Sequence, residues 1–271
     1  MKRLFILLFA ALLTSSLLSS CVTDVVDETV QIESVQDAAS FTALKVNRSS
    51  DNISVTGWSR DSIIAKANLS IWANSTDNAK QIGEDLQFSW ATGSTTAELL
   101  VTSDVAGQEL AYLREMVIST PSRFALNLET GSGDIKATNM AGDLNLITGS
   151  GSITADTKGK IIASTSSGDV NAICGQGASL DLGSGDVALD VTSSAFDDVT
   201  ISTSSGDVSL RLADSAQVTF DLSTSSGDID INYGGTSTVT ENGYLRIDVN
   251  GGGKLITIET SSGNIKVRAI H

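Results

Sequence analysis

A repeated hexapeptide carries the most chemically versatile side chains of this sequence. TSSGDV occupies residues 165–170 and 203–208, and the variants TSSGDI and TSSGNI occupy 224–229 and 260–265. A structure that stacks these copies would place one aspartate above another at the same corner. The aspartates at this position are Asp134, Asp169, Asp186, Asp207 and Asp228.

This aspartate column has two interpretations. Aspartate side chains cap turns by hydrogen bonding to nearby backbone groups, but stacked carboxylates about 5 Å apart repel each other unless they are hydrogen-bonded, solvated or neutralised. A weak ladder for calcium is the alternative, because Ca²⁺ accepts several oxygen ligands in irregular geometry. Ser152 and Asn264 interrupt the column, and the denser glycine and aspartate nonapeptide of calcium-binding β-rolls is missing. We therefore predict turn capping and no cofactor, with weak calcium binding left open.

Paired carboxylates also raise the possibility of a polysaccharide-cleaving enzyme, since such enzymes occur on β-helices. Repetition supplies carboxylates everywhere without singling out a pair in different environments. The sole histidine, His271, is the last residue, so a Ser-His-Asp triad or a histidine zinc site is not expected. The basic residues of the repeats are scattered, at Lys136, Lys158, Lys160 and Arg211. We predict no enzymatic activity, and polysaccharide binding or degradation remains the alternative function.

The N-terminus carries export signals. Lys2 and Arg3 precede the apolar run LFILLFAALL, which is too short to span a bilayer, so residues 1–20 are a predicted signal peptide. Leu18-Ser19-Ser20-Cys21 looks like a bacterial lipobox, which predicts lipid attachment at Cys21; the alternative is ordinary cleavage beside an incidental cysteine. Residues 21–36 are interpreted as a lipidated N-terminus and acidic tether.

Charge and cysteine content restrict the partners. The net charge of −15 argues against nucleic acid and bare anionic membrane. Cys174 is the only cysteine besides Cys21, so an internal disulfide framework is excluded. Cys174 is expected to be a buried apolar residue.

The repeat itself predicts the fold. The glycines of the motif are Gly133, Gly151, Gly168, Gly185, Gly206, Gly227 and Gly263. A spacing near 20 residues is typical of a solenoid, and the apolar residues between the glycines come in pairs two apart, which is the strand period. We predict an all-β, parallel β-helix-like solenoid over 37–271 with coils of 17–21 residues and two strands each. The wider last step is interpreted as two periods with one degenerate motif.

An irregular segment interrupts the period at 68–122, before the regular coils of 123–271. It contains a predicted short helix within 74–88 and strands at 96–103 and 114–121. We interpret it as a capping insertion rather than a separate domain. It is expected to gather the three tryptophans, Trp58, Trp72 and Trp90, with Tyr112 nearby, either as packing or as a sugar-binding platform.

The opening LKV…ISVTGWSRDSIIAKA, the helical insertion, the stretch MVISTPSRFALNLETGSGDIKATNMAGDLNLITGSGSI and the serial SGD[IV] coils resemble the bacterial putative-adhesin family of β-solenoid lipoproteins. They also resemble the related head GIN domain of autotransporter adhesins. The resemblance implies a parallel β-solenoid on an exported protein.

These observations combine into one functional prediction. We expect a non-catalytic cell-envelope lipoprotein that acts as a structural or adhesion-like module through an extended polar surface. The expected partners are the membrane, through Cys21, and an envelope polysaccharide or protein surface. The outer membrane is the predicted location, and the leaflet is left open.

Overall fold

The structure is a computed structural model that describes residues 26–73, 75–93, 95–103 and 110–270. These residues form 21 strands and one short helix, α1 (Thr76–Asp85). The strands are β1 (Val26–Asp37), β2 (Ala43–Arg48), β3 (Asn52–Trp58), β4 (Ser62–Ala73), β5 (Leu86–Thr92), β6 (Thr96–Ser103), β7 (Leu110–Pro121), β8 (Ala125–Thr130), β9 (Ile135–Met140), β10 (Leu144–Thr148), β11 (Ile153–Thr157), β12 (Ile161–Thr165), β13 (Val170–Cys174), β14 (Ala178–Ser184), β15 (Val187–Val191), β16 (Val199–Ser205), β17 (Val208–Ala213), β18 (Val218–Tyr233), β19 (Thr236–Val249), β20 (Lys254–Ser262) and β21 (Ile265–Ile270).

The regular coils stack as two parallel faces joined at a corner. Face 1 consists of β2, β8, β10, β12, β14, β16 and β20, each hydrogen-bonded to the next. Face 2 consists of β3, β9, β11, β13, β15, β17 and β21 in the same order. The predicted solenoid with two strands per coil is confirmed.

Alternation within each strand separates the core from the surface. Leu144 and Leu146 of β10 are buried, whereas Asn145 between them faces outward. The same inward positions hold Leu182 and Ile231, which are buried as their two-residue spacing predicts. Cys174 is buried as well, and its sulfur is a free thiol. The buried residues form one core that runs along the axis between the two faces.

The N-terminal end of the stack is built out of chain order. β6 and β7 come after β2 and β3 in the sequence. They nevertheless pair in parallel with β2 and β3, respectively, on the edges that face away from β8 and β9. Beyond them, β5 pairs antiparallel with β6, β4 with β7, and β1 with β4. Helix α1 packs against β1 and β4 and buries Ile82. The described part of the 68–122 insertion therefore lies at this end of the solenoid.

The C-terminal end repeats this inversion of order. β20 and β21 are the last strands of the chain, yet they pair with β16 and β17 on one side and with β18 on the other. β19 returns antiparallel along β18 and ends the stack. The interpretation of the wide step before Gly263 as an extra degenerate coil is therefore wrong, because residues 236–249 form an antiparallel end strand.

The acidic tether is also corrected. Residues 26–37 form β1, which pairs with β4 along its whole length, from Val26 opposite Ala73 to Asp37 opposite Ser62. From Gln31 to Asp37 the side chains alternate between exposed and half-buried, and Ile32 packs against the core. The charged residues Glu28 and Glu33 disguised this strand in the sequence. The folded domain therefore includes Val26–Asp37 and does not begin at residue 37, whereas Cys21 lies outside the described residues.

Candidate functional site

The threonine of the hexapeptide is an internal corner residue. Thr165 is buried, and its hydroxyl donates a hydrogen bond to the carbonyl oxygen of Gly151 in the preceding coil, at 3.0 Å. Thr148 does the same to Gly133 at 2.8 Å, and Thr224 to Gly263 at 3.0 Å. A buried hydroxyl is costly without a partner, so this bond explains why threonine recurs at an inward position.

The glycine of the hexapeptide is required by the close approach of successive coils. A Cβ atom on Gly168 would lie 2.0 Å from the carbonyl oxygen of Gly151, and one on Gly206 would lie 2.0 Å from that of Gly185. No side chain fits at such distances. In space the column continues from Gly206 to Gly263 and then to Gly227, which follows the inverted order of the last strands.

The aspartates of the hexapeptide form a ladder of hydrogen bonds to the backbone. The carboxylate oxygen Oδ1 of Asp169 accepts from the N–H of Asp186 at 2.9 Å, and Oδ1 of Asp186 accepts from Asp207 at 2.8 Å. Oδ1 of Asp207 accepts from the N–H of Asn264 at 2.7 Å. Each side chain thus fixes the turn of the next coil, which is the capping role that the sequence predicted.

The two ends of this ladder show that an amide replaces the carboxylate. Oδ1 of Asn52 accepts from the N–H of Asp134 at 2.9 Å, and Oδ1 of Asn264 accepts from Asp228 at 3.0 Å. Asp134 itself binds the N–H of Ser152 at 2.8 Å. Because asparagine serves as well as aspartate, the shared requirement is an oxygen acceptor and not a negative charge.

The calcium interpretation of the five aspartates stays a prediction. The structure places them at one corner, but each of Asp134, Asp169, Asp186 and Asp207 already uses one carboxylate oxygen for the backbone. Within the described residues, no group of three or more histidine, cysteine, aspartate or glutamate side chains is arranged to hold a metal ion.

The indole N–H groups of Trp58 and Trp90 donate hydrogen bonds at two separate places. Trp58 donates to the carbonyl oxygen of Ser62 at 2.8 Å, and the guanidinium of Arg60 lies 5.1 Å from its ring centre. Trp90 donates to the hydroxyl of Ser34 on β1 at 2.9 Å and packs against the core. The side chains of Trp72 and Tyr112 lie outside the described residues. These contacts favour packing, and sugar contact by the tryptophans stays a prediction.

Face 1 carries two columns of outward side chains in register. The first column is Lys45, Asn127, Asn145, Ile162, Ser179, Thr200 and Thr257. The second is Asn47, Glu129, Ile147, Ser164, Asp181, Ser202 and Glu259. The columns are polar except for two isoleucines, and the amide of Asn145 donates to that of Asn127 at 3.2 Å.

An open groove of about 420 Å³ lies on face 1 at the starts of β2, β8, β10 and β12. Its charged and amide side chains belong to Lys45, Asn127, Asp143, Asn145 and Lys160, and the rest of its lining is Thr96 and apolar residues that include Ile162. Asp143 is its one carboxylate, and Oδ1 of Asp143 accepts from the backbone N–H of Lys160 at 2.9 Å. The groove therefore offers amides, ammonium groups and several apolar side chains, but not a facing pair of acids.

A smaller depression of about 230 Å³ lies near the C-terminal end of face 2. Asp228, Asp230 and Lys266 line it together with Val239 and Asn264. The carboxylate of Asp230 is engaged by the guanidinium of Arg268, with one contact of 3.2 Å between Nη1 and Oδ1. Asp230, one of the two acids of the depression, is therefore held in an ion pair with Arg268.

The isoleucines of face 1 are a feature that the sequence interpretation missed. Ile147 and Ile162 occupy outward positions of adjacent strands, diagonal to each other, with 39% and 48% of their surface exposed. The signal was present in the sequence, because both break the alternation of apolar and polar residues in LNLIT and IIAST. A single exposed apolar residue is ordinary on a protein surface, but Ile147 and Ile162 are neighbours and form a small apolar patch.

Comparison with known families agrees with this architecture. The profile described as Toastrack DUF4097 matches residues 29–268, which is nearly the whole described stack. The chain belongs to the Toastrack DUF4097 family. The sequence-based resemblance to the putative-adhesin family is thereby confirmed. The Toastrack match begins inside β1, which agrees with the corrected start of the domain.

Three solved structures are similar to this Toastrack chain. A putative cell adhesion protein from Clostridium sporogenes ATCC 15579 is 15% identical, with 90% of this chain and 100% of that chain covered and a TM-score of 0.35. A putative adhesin from Bacteroides fragilis NCTC 9343 is 12% identical, with 89% and 97% covered and a TM-score of 0.34. A putative adhesin from Parabacteroides distasonis ATCC 8503 is 10% identical, with 88% and 97% covered and a TM-score of 0.40.

Two further findings concern the whole chain. No curated protein matches it. Among the described residues, the structure contains no helix with the length and apolar character needed to cross a membrane.

Proposed function

We propose that the chain is a non-catalytic module of the cell envelope, anchored by lipid at Cys21, that binds another surface through face 1. The observation that carries the proposal is the register of face 1, where amides, hydroxyls and two exposed isoleucines repeat along the stack beside an open groove. Weak contacts repeated at a fixed spacing add up to firm attachment, because binding of one coil raises the local concentration of the next.

The chemistry of face 1 fits a polysaccharide or a protein surface. Asn127 and Asn145 present amide donors and acceptors, and Lys160 lies at the edge of the groove. Ile147 and Ile162 supply the apolar contact that polar columns lack. An open groove with one carboxylate suits binding better than hydrolysis, which needs two acids placed across the scissile bond. The family and fold fit the same adhesion-like role.

The experiment compares matched variants of the two faces. The full chain, displayed on vesicles, is mixed with cell-envelope fragments, and the bound fraction is measured by co-sedimentation. The face 1 variant carries Asn145→Asp and Ile162→Glu. The control carries the same changes on face 2, Asn171→Asp and Ile173→Glu, at positions that are also exposed.

We expect the face 1 variant to lower the apparent affinity at least tenfold and the face 2 control to change it less than twofold. Both variants add the same charge, so a general repulsion would affect them alike. An equal loss in both variants, or in neither, would contradict the assignment of face 1. Circular dichroism melts of both variants check that the stack is intact.

A further inference from the structure

The two ends of the solenoid are finished differently. At the N-terminal end, α1 packs over β1 and β4 and buries Ile82. At the C-terminal end of the stack the outermost strand is β19, and among the described residues it pairs only with β18. Leu245 and Ile247 of β19 pack against the core but are only partly buried. An edge strand over a partly covered core is a surface that attracts another strand.

The strand β19 bends at the same corner as the coils beneath it. Its arm 244–249 pairs with the first part of β18, which lies on face 1, and its arm 236–241 pairs with the last part, which lies on face 2. The corner residues Asn242 and Gly243 separate two arms of equal length. The regular pairing of β18 with β19 is interrupted at this corner, because β18 has a bulge between Thr224 and Asp228.

The most exposed large apolar side chains of the described residues lie on these two arms. Val239 is 65% exposed on the face 2 arm, and Tyr244 is 59% exposed on the face 1 arm. Both point outward together with Ser237, Arg246 and Asp248, which are also exposed. Within one chain the corner separates Val239 from Tyr244.

We propose that β19 pairs antiparallel with β19 of a second copy of this chain, so that two solenoids join end to end. A two-fold axis through the corner between Asn242 and Gly243 lays each arm on the other arm of the second copy, as in an isologous interface. The paired arms then run antiparallel. Because the two arms are equally long on either side of the axis, outward residues of one arm lie opposite outward residues of the other.

This register is self-complementary. Arg246 lies opposite Val239 of the second copy, and Val239 becomes the diagonal neighbour of Tyr244 across the interface, within the reach of an aromatic side chain. On the inner side, Leu245 and Ile247 lie opposite Thr240 and Thr238 of the second copy, which completes the cover of the core. The backbone groups of the free edge gain partners, as in strand addition between proteins.

The end-to-end dimer deepens the proposed function and, in this respect, rests on it. β1 lies at the other end of the stack, so the two β1 strands lie at the far ends of the dimer. If Cys21 carries the lipid, the dimer would connect two opposing membranes through their solenoids. The second copy is then the partner at the distal tip, whereas face 1 serves contact along the side.

The first test is sedimentation velocity of the full chain, purified in detergent as the exporting cell produces it, over a thousandfold range of concentration. We expect a monomer and dimer equilibrium that Val239→Lys and Tyr244→Lys each shift toward monomer by at least tenfold in dissociation constant. The matched control, Ile173→Lys on face 2, removes an exposed apolar residue elsewhere and should leave the equilibrium unchanged. A monomer at every concentration, or an equal effect of the control, would overturn the proposal.

A second test reads the register directly and does not depend on affinity. The double variant Val239→Cys with Arg246→Cys places thiols opposite each other only across the two-fold, so mild oxidation should give a covalent dimer. Val239→Cys alone should not, because the two-fold puts its copies on separate arms. Cross-linking by the single variant to the same extent would contradict the register. If the unsubstituted chain forms no dimer but still binds envelope fragments, this inference is rejected and the proposed function stands. If the unsubstituted chain dimerises but does not bind the fragments, only the proposed function is rejected.

Discussion

Three residues of the hexapeptide together stabilise one corner of the coil. The threonine hydroxyl holds the carbonyl of the coil before it, the glycine permits contact with that coil, and the aspartate holds the N–H of the coil after it. The recurrence of TSSGDV therefore follows from the need to build the same corner again. At this scale the repeat encodes structure, and binding is assigned to other residues.

The glycine requirement predicts a large effect from a small substitution. Gly168→Ala would place a Cβ 2.0 Å from the carbonyl oxygen of Gly151, so the two coils must separate. We expect a loss of unfolding free energy of about 1–3 kcal/mol or more, as for overpacked cores. Gly93→Ala is the matched control, because the nearest atom would lie 3.7 Å away. Urea unfolding of both variants measures the difference, and equal effects would refute the stacking argument.

The aspartate ladder predicts that an acceptor matters and a charge does not. Asp186→Ala removes the acceptor for the N–H of Asp207 and should lower the unfolding free energy by about 1 kcal/mol. Asp186→Asn keeps an oxygen acceptor, as Asn264 does, and should retain nearly full stability. Thermal melts with millimolar calcium and with chelator should show the same midpoint. A midpoint that calcium raises, and that Asp186→Asn makes insensitive to calcium, would instead establish the cation ladder.

Cys174 gives the fold a predictable dependence on alkaline pH. Burial raises the pKa of its thiol to about 11, whereas an unfolded cysteine ionises near pH 8.5. Between about pH 8.5 and 11 the unfolded chain loses this proton and the folded chain keeps it, so the unfolding free energy falls as pH rises. Cys174→Ala should unfold with a weaker dependence on pH in this window. Parallel curves for the variant and the parent chain would show that the thiol is not protected.

The strands and coils were predictable to the extent that local pattern determines them. The alternation of Leu144, Asn145 and Leu146 predicts which side chains face the core, and the spacing of the glycines predicts the length of a coil. The helix at Thr76–Asp85 was also predicted from its apolar spacing. At the level of single elements, the sequence pattern was sufficient wherever one side of a strand is buried and the other is wet.

The order of the coils at both ends was not predictable, because it depends on long-range pairing. The sequence pattern of β20 resembles that of the other face 1 strands. Nothing in this local pattern shows that β20 inserts between β16 and β18. β1 was missed because the charged residues in its sequence resemble those of a solvated tether. The groove was missed because Asn127 and Asn145 are 18 residues apart in the chain and meet only through the register of β8 and β10.

The inward register of these elements has a direct consequence for stability. Ile231 on β18 is fully buried between the faces, so Ile231→Ala should cost about 2–5 kcal/mol of unfolding free energy. Asn232, its exposed neighbour, provides the control, and Asn232→Ala should change stability by less than about 0.5 kcal/mol. Denaturant unfolding compares the two, and similar small effects would place Ile231 outside the core.

The molecule as a whole is a continuous stack whose sides and ends have different tasks. The sides present polar columns in register, the N-terminal end is closed by α1, and the C-terminal end presents β19. We propose that face 1 makes contacts along the side and that the tip pairs with a second copy. The proposed function adds that face 1 binds its partner without cleaving it.

The most direct measurement follows binding and cleavage in one sample. The full chain is incubated with purified envelope polysaccharide, and the bound chain and the new reducing ends are measured over time. The account predicts that binding reaches a plateau while reducing ends stay at the level of the sample without protein. Reducing ends that accumulate with time, and that disappear in Asp143→Asn or Asp230→Asn, would contradict it and identify the chain as an enzyme.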